Sequence, residues 1–354
     1  MRFIDNQNDR ETKEGDKPSR KKPMYPVNTK LRGYLRERGR EVRLPVTYHD
    51  LLRFTWSTPI LDKNGNHTHW EKASYDSREW DYIREGLVKI YAILKTEGDF
   101  SFISHLDVAR IDYCSFGNSN PFRIRIVNKF NDNYDHYYIK IADASRIYGL
   151  ELEHLLSPNR ITFFTYGNTL VEEHIPGIPG DMFIRQILES PETNKIRLAK
   201  EFVKFNERCF VRLLGDMHSS NFVVDITPDF EEIYYRIRSI DFDQQSYEGK
   251  KAVYLPQYFK QNNAIIELGM KYLTPESVLQ YQREERSLIS GRIRVERARI
   301  QDLMKVMMED KICLPGNLNQ LKWELAHHYR NNTFLQCRSM GEVVMKSLEL
   351  VLAH

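Results

Sequence analysis

The chain has 354 residues, 41% hydrophobic and 12% aromatic, enough to bury a sizeable core and more than one ordinary domain holds. Its four cysteines, Cys114, Cys209, Cys313 and Cys337, form no CxxC pair, which excludes the usual zinc motifs and predicts reduced thiols in a cytoplasmic protein. Net charge is only +3, yet residues 1–45 carry 13 Lys/Arg against 7 Asp/Glu and the remainder 39 against 42, so the positive excess is local.

Residues 1 to about 30 are polar, charged and poor in buriable side chains, which predicts disorder, and no apolar run approaches the roughly 18 residues of a membrane span. The segment KLRGYLRERGREVRLP, residues 30–45, reads either as a solvated helix face or as an arm for an anionic partner. Residues 1–75 are therefore taken as a basic extension. It ends in a hairpin turning at Asn64-Gly65, a dipeptide that favours positive φ. His67 and His69 share a strand face there, without the acid or thiol that a metal site would add. From Ser77 apolar residues recur at helical spacing through Trp80, Ile83, Leu87, Ile90 and Leu94, predicting an amphipathic helix that stops at Gly98.

Residues 100–142 alternate in the manner of three strands joined by hairpins, with Gly117, Asn118, Ser119 and Asn120 as the first turn. Asp143 caps a short helix over ASRIYGLELEHLL. Strands RITFFTYG and TLVEEHIPG follow, so five strands carry one helix between the third and fourth. Beyond Pro176 the pattern turns helical: a helix opening at Ser190-Pro191, helical stretches over 274–311 and 339–353, and a single hairpin in the middle. The expected fold is α+β, with a β-rich lobe over 76–175 and a helical lobe over 176–354.

Three features carry chemistry. In RLLGDMHSSNFVV, Asp216, His218 and Asn221 interrupt two apolar runs; the plain alternative is a polar surface turn. Asp241 ends an apolar strand in IRSIDFDQQ, and the hairpin between these stretches brings Asp216 and Asp241 to one end. Lys140 sits within the apolar YYIKIAD strand, where an unpaired ammonium is costly, so it requires an anion.

YYIKIAD, LVEEHIPG, LGDMHSSNF and IDFD, in this order over residues 105–245, resemble the atypical branch of the protein-kinase-like superfamily, the small-molecule, lipid and sugar kinases. The resemblance implies a two-lobed fold and an ATP- and Mg²⁺-dependent phosphotransferase acting on a hydroxyl acceptor, more in keeping with a non-protein molecule. It implies that Asp216 orients the acceptor, that Asn221 and Asp241 bind the metal, and that Lys140 positions phosphates. Glu151 on the following helix would hold Lys140, with Glu153 as the competing choice. Gly117, Asn118 and Ser119 would offer backbone N–H groups to phosphate, and backbone groups of Glu173 and Ile175 would meet adenine. A glycine-rich phosphate loop is absent, Leu214 replaces a histidine common in relatives, and Asp243 replaces a glycine. Two alternatives share these parts: a pseudokinase interaction module and a kinase-fold AMP transferase.

Overall fold

The computed structural model describes residues 22–62, 64–96, 101, 103–116, 118–228 and 233–353. In chain order its elements are α1 (Thr29–Glu37), α2 (Tyr48–Leu51), β1 (Trp56–Leu61), β2 (His67–Ser74), α3 (Ser77–Thr96), β3 (Leu106–Tyr113), β4 (Phe122–Asn128) and β5 (Tyr134–Ile141). Then come α4 (Ala144–Leu156), β6 (Phe163–Tyr166), β7 (Thr169–Glu173), β8 (Ile178–Pro179), α5 (Gly180–Gln186), α6 (Lys195–Arg212), β9 (Phe222–Pro228) and β10 (Ile233–Ser239). The chain closes with α7 (Asn263–Tyr272), α8 (Pro275–Val295), α9 (Arg297–Glu309), α10 (Pro315–Tyr329) and α11 (Met340–Leu352).

An antiparallel seven-stranded sheet with order β1-β2-β3-β4-β5-β7-β6 forms the N-terminal half, and a three-stranded sheet β10-β9-β8 lies within the helical C-terminal half. The α+β class is therefore present. Alternation along the strands decides the faces. Phe122, Ile124 and Ile126 of β4 and Tyr137 and Ile139 of β5 join Ile83, Leu87 and Ile90 of α3 in one buried core. The interleaved Arg123, Arg125, His136, Tyr138 and Lys140 belong to the other face. A second core gathers α4 with α6, α8, α9 and α11. Only His154 of the thirteen residues of α4 is not buried, so this helix lies inside the protein rather than on it.

Asp143 caps α4 as expected, its side chain accepting from Arg146 N, and Gly65 adopts φ 81° at the hairpin turn. The helix expected to open at Ser190-Pro191 instead starts at Lys195 on an Asn194 cap. The helical stretch 274–311 is two helices that break at Glu296, the first entered through a capping box between Thr274 and Ser277.

Residues 22–46 depart most from expectation. They form an ordered strap whose charges are used internally: Lys22 meets Asp143 at 2.9 Å, Arg32 meets Glu41 at 3.2 Å, Arg38 meets Asp302 at 2.5 Å and Arg40 meets Glu151 at 2.9 Å, while Lys30 bonds Glu309. The strap buries Leu31, Tyr34 and Leu35 in the second core and Leu44 and Val46 in the first. Within the arm expected over 30–45, Lys30, Arg32, Arg38 and Arg40 are each paired with an acid of the same chain. Residues 1–21 of the expected extension lie outside the described residues. Among the described residues no helix is long and apolar enough to cross a membrane.

Candidate active site

Lys140 lies on β5 with its side chain buried and its ammonium 2.8 Å from Glu172 Oε2 on the neighbouring β7. The register pairs Tyr138 with Glu172, so Lys140 reaches diagonally across two strands to its counter-ion. Glu172 also accepts from Arg146, through Nη2 at 2.8 Å and through Nε. Arg146 stands in the first turn of α4 and is 1% exposed. Its Nη1 donates at 2.8 Å both to Asp241 Oδ1 and to Asp243 Oδ1. One continuous network thus runs from Lys140 through Glu172 and Arg146 to Asp241 and Asp243.

The electrostatics follow from two cations among three acids. Burial alone would raise the Glu172 carboxyl, but Arg146 and Lys140 outweigh it and hold it down to about 2. Burial acts in the same way on Asp241, and Arg146 followed by Lys140 again lowers it below the ordinary carboxylate range. Asp243 moves the other way, because burial and the adjacent Asp241 charge exceed what Arg146 returns. The Asp241 side chain is 37% exposed and that of Asp243 12% exposed.

The loop of Asp216 is fixed by the end of α6. Leu213, the C-cap, takes a left-handed conformation (φ 56°) and turns the chain out of the helix. Leu214 bridges Gln245, and Gly215 N donates to Gln244 O at 3.2 Å. A Cβ on Gly215 would stand 3.0 Å from Val253 Cγ1 and 3.2 Å from Gln244 O, so the glycine permits this close approach. Asp216 follows at φ 62°, its N–H donating to Val253 O at 3.0 Å. Left-handed backbone at a non-glycine residue costs about 1–3 kcal/mol and needs surroundings that hold it. Asn221 Nδ2 supplies one restraint, donating to Asp216 O at 2.8 Å. His218 braces the following turn by accepting from Ser220 N at 3.3 Å. Ile240 N donates to Asn221 O at 3.0 Å, and Phe222 pairs with Ser239, so Asp216, Asn221 and Asp241 share one end of the β9–β10 hairpin.

Glu151 is not in this cluster. It accepts from Tyr34 at 2.8 Å and Arg40 at 2.9 Å, both in the strap, and from Arg299 of α9 at 2.9 Å. These partners overcome the burial that would otherwise raise it. The expected Lys140–Glu151 pair is therefore replaced by Lys140–Glu172. Glu153, the competing choice, pairs with Arg212.

The β3–β4 turn stands at the sheet end nearest Lys140, since Phe122 pairs with Ile139. Tyr48 secures it by donating to Asn120 O at 3.0 Å. Ser119 is buried, and among the described residues the buried Asn118 Oδ1 accepts no hydrogen bond; Gly117 lies outside the described residues. At the far end of β7, Glu173 N donates to Thr162 O at 3.1 Å and Glu173 Oε1 accepts from Thr162 N at 2.8 Å. The Glu173 N–H is thus committed to the sheet. Ile175 is buried just past the strand.

The donor set suits a hard divalent cation. Asn221 Nδ2 is committed to Asp216, which leaves its amide oxygen, and both bonds to Asp241 fall on Oδ1, which leaves Oδ2. Among the described residues no three or more His, Cys, Asp or Glu are gathered as a metal cage, so a cation here needs further oxygens from the ligand that brings it.

Arg146 and Glu172 are the site residues that sequence reasoning missed. The signal for Glu172 was the β5–β7 register, which pairs strands that are not neighbours in sequence; Arg146 gave none, standing off the apolar arc of its own helix. A scan against protein-family models matches none, and no curated protein matches the chain.

Proposed function

We propose that the chain is an ATP- and Mg²⁺-dependent phosphotransferase acting on a hydroxyl of a non-protein acceptor. The observation that supports this best is the convergence of Asp216, Asn221 and Asp241 at one hairpin end, with Asp241 joined to Lys140 through Arg146 and Glu172. The order of five strands with one helix between the third and fourth, β3 to β7 around α4, accords with a two-lobed kinase-like fold.

In this reading Asp216 accepts the proton of the attacking hydroxyl, and its held backbone aims the carboxylate. Lys140 contacts phosphate oxygens, with Glu172 keeping the ammonium in place when the phosphates are gone. Asn221 and Asp241 hold Mg²⁺, which neutralises phosphate charge. Arg146 fixes Asp241 by one oxygen and so orients the other.

Asp216→Ala is expected to lower ATP turnover about 10²–10⁴-fold with near-UV circular dichroism unchanged. Equal turnover in the two proteins would overturn the catalytic assignment. The Arg146–Asp241 bond also favours a second reading, a nucleotide-binding module without transfer. Wild-type protein that binds ATP yet converts none of it, across a panel of hydroxyl acceptors, would establish that reading. Product mass separates phosphoryl from adenylyl addition.

A further inference from the structure

Helices α2 and α3 pack on one face of β3, β4, β5 and β7, and the opposite face carries an alternating layer of cations and rings. The register sets Asp112, Arg123 and Tyr138 in one cross-strand row and Arg110, Arg125 and His136 in the next. The Arg123 guanidinium lies 4.4 Å from the Trp70 ring centre, and that of Arg125 lies 3.7 Å from the Tyr134 ring centre. Trp70 stands 6.4 Å from Tyr138. The Arg123 and Arg110 side chains are half-buried, 24% and 29% exposed, and Tyr134 is exposed at 58%.

Charge on this face is not balanced. Asp112 serves two guanidinium groups, Arg123 at 2.7 Å and Arg110 at 2.6 Å. Among the described residues the buried Arg125 Nε has no hydrogen-bond partner. The His136 imidazole is pushed down to about 4, by burial first and then by Arg123, His174 and Arg125.

We infer that this sheet face binds single-stranded nucleic acid. Arginines already stacked on rings match a ligand that alternates phosphate with a planar base, because the rings offer faces to bases and the guanidinium groups offer donors to phosphate. Strands β2 to β5 and β7 lie side by side at about 4.8 Å, giving a platform about 19 Å wide, which suits several nucleotides rather than one. A duplex hides its base faces and fits poorly. The inference rests on the sheet face and not on phosphotransfer.

The test uses the whole chain and fluorescence anisotropy with labelled oligo-U RNA, oligo-dT and a duplex, each about 12 nucleotides long. The single strands are expected to bind and the duplex to bind more weakly, with affinity falling with salt at a log–log slope of about −0.7 per phosphate contact. Arg125→Gln and Trp70→Ala are each expected to weaken binding about tenfold, with the thermal midpoint retained, while Lys305→Glu on α9 leaves it unchanged. A preference between RNA and DNA names the natural ligand. Absent binding, equal weakening by Lys305→Glu, or complete displacement of the strand by millimolar ATP would overturn the inference, the last by assigning the face to a mononucleotide.

Discussion

Glu172 is the residue on which the candidate site turns. It is 5% exposed and faces two cations, and its carboxyl stands at about 2 against an ordinary 4.5. A carboxylate depressed in the folded state stabilises fully above its unfolded value, and that stability is lost as pH falls through the folded value. The window here runs from about 4.5 down to about 2, and the shift corresponds to about 3 kcal/mol. Glu172→Gln is expected to be less stable at pH 6 and to lose less stability between pH 4.5 and 2.5 than the wild type, as read by urea unfolding; parallel curves would contradict the pairing. The sequence made the need for an anion legible, because an ammonium in an apolar strand has few other solutions. It did not reveal which acid answers, since a helix acid eleven residues away and a strand acid thirty-two residues away look alike until the sheet order is known.

At the scale of the element, α4 is a buried helix held from three sides. Its first turn supplies Arg146, Ser145 Oγ donates to Gln245 O at 2.7 Å, and Glu151 ties it to the strap and to α9. Gly149 faces the segment that carries Asp241 and Asp243. A Cβ there would lie 3.0 Å from Phe242 Cβ and 3.1 Å from Gln245 Cβ. Gly149→Ala gains about 1 kcal/mol of helix propensity but overpacks a filled contact, at a cost of about 1–3 kcal/mol. The expected outcome is a lower thermal midpoint together with reduced ATP turnover; a raised midpoint would show that the contact has room. The extent of α4 was legible from its Asp143 cap and the apolar spacing that follows. Its near-complete burial was not, because Glu151, Glu153 and Arg146 read as surface residues until partners from distant segments neutralise them.

At the scale of the whole molecule, the strap joins two cores that otherwise have separate membership. Leu35 belongs to the helical core and Val46 to the core under the sheet, so the halves are expected to unfold together. Leu35→Ala should cost about 2–5 kcal/mol and lower amide hydrogen-exchange protection in both halves alike. Loss confined to the helical half would show that the strap does not couple them. Composition concealed this segment, because charge runs are read as solvated and its cations find their acids far along the chain. The position of the Lys140 counter-ion has a mechanical corollary. Lysine and glutamate ride on adjoining strands of a single rigid platform, so a sliding or tilting helix cannot part them. The same movement would withdraw a guanidinium from Asp241 and Asp243 and leave two neighbouring acids bare, so a conformational change in this fold would throw its switch on the carboxylate side of the cluster and leave the ammonium side undisturbed.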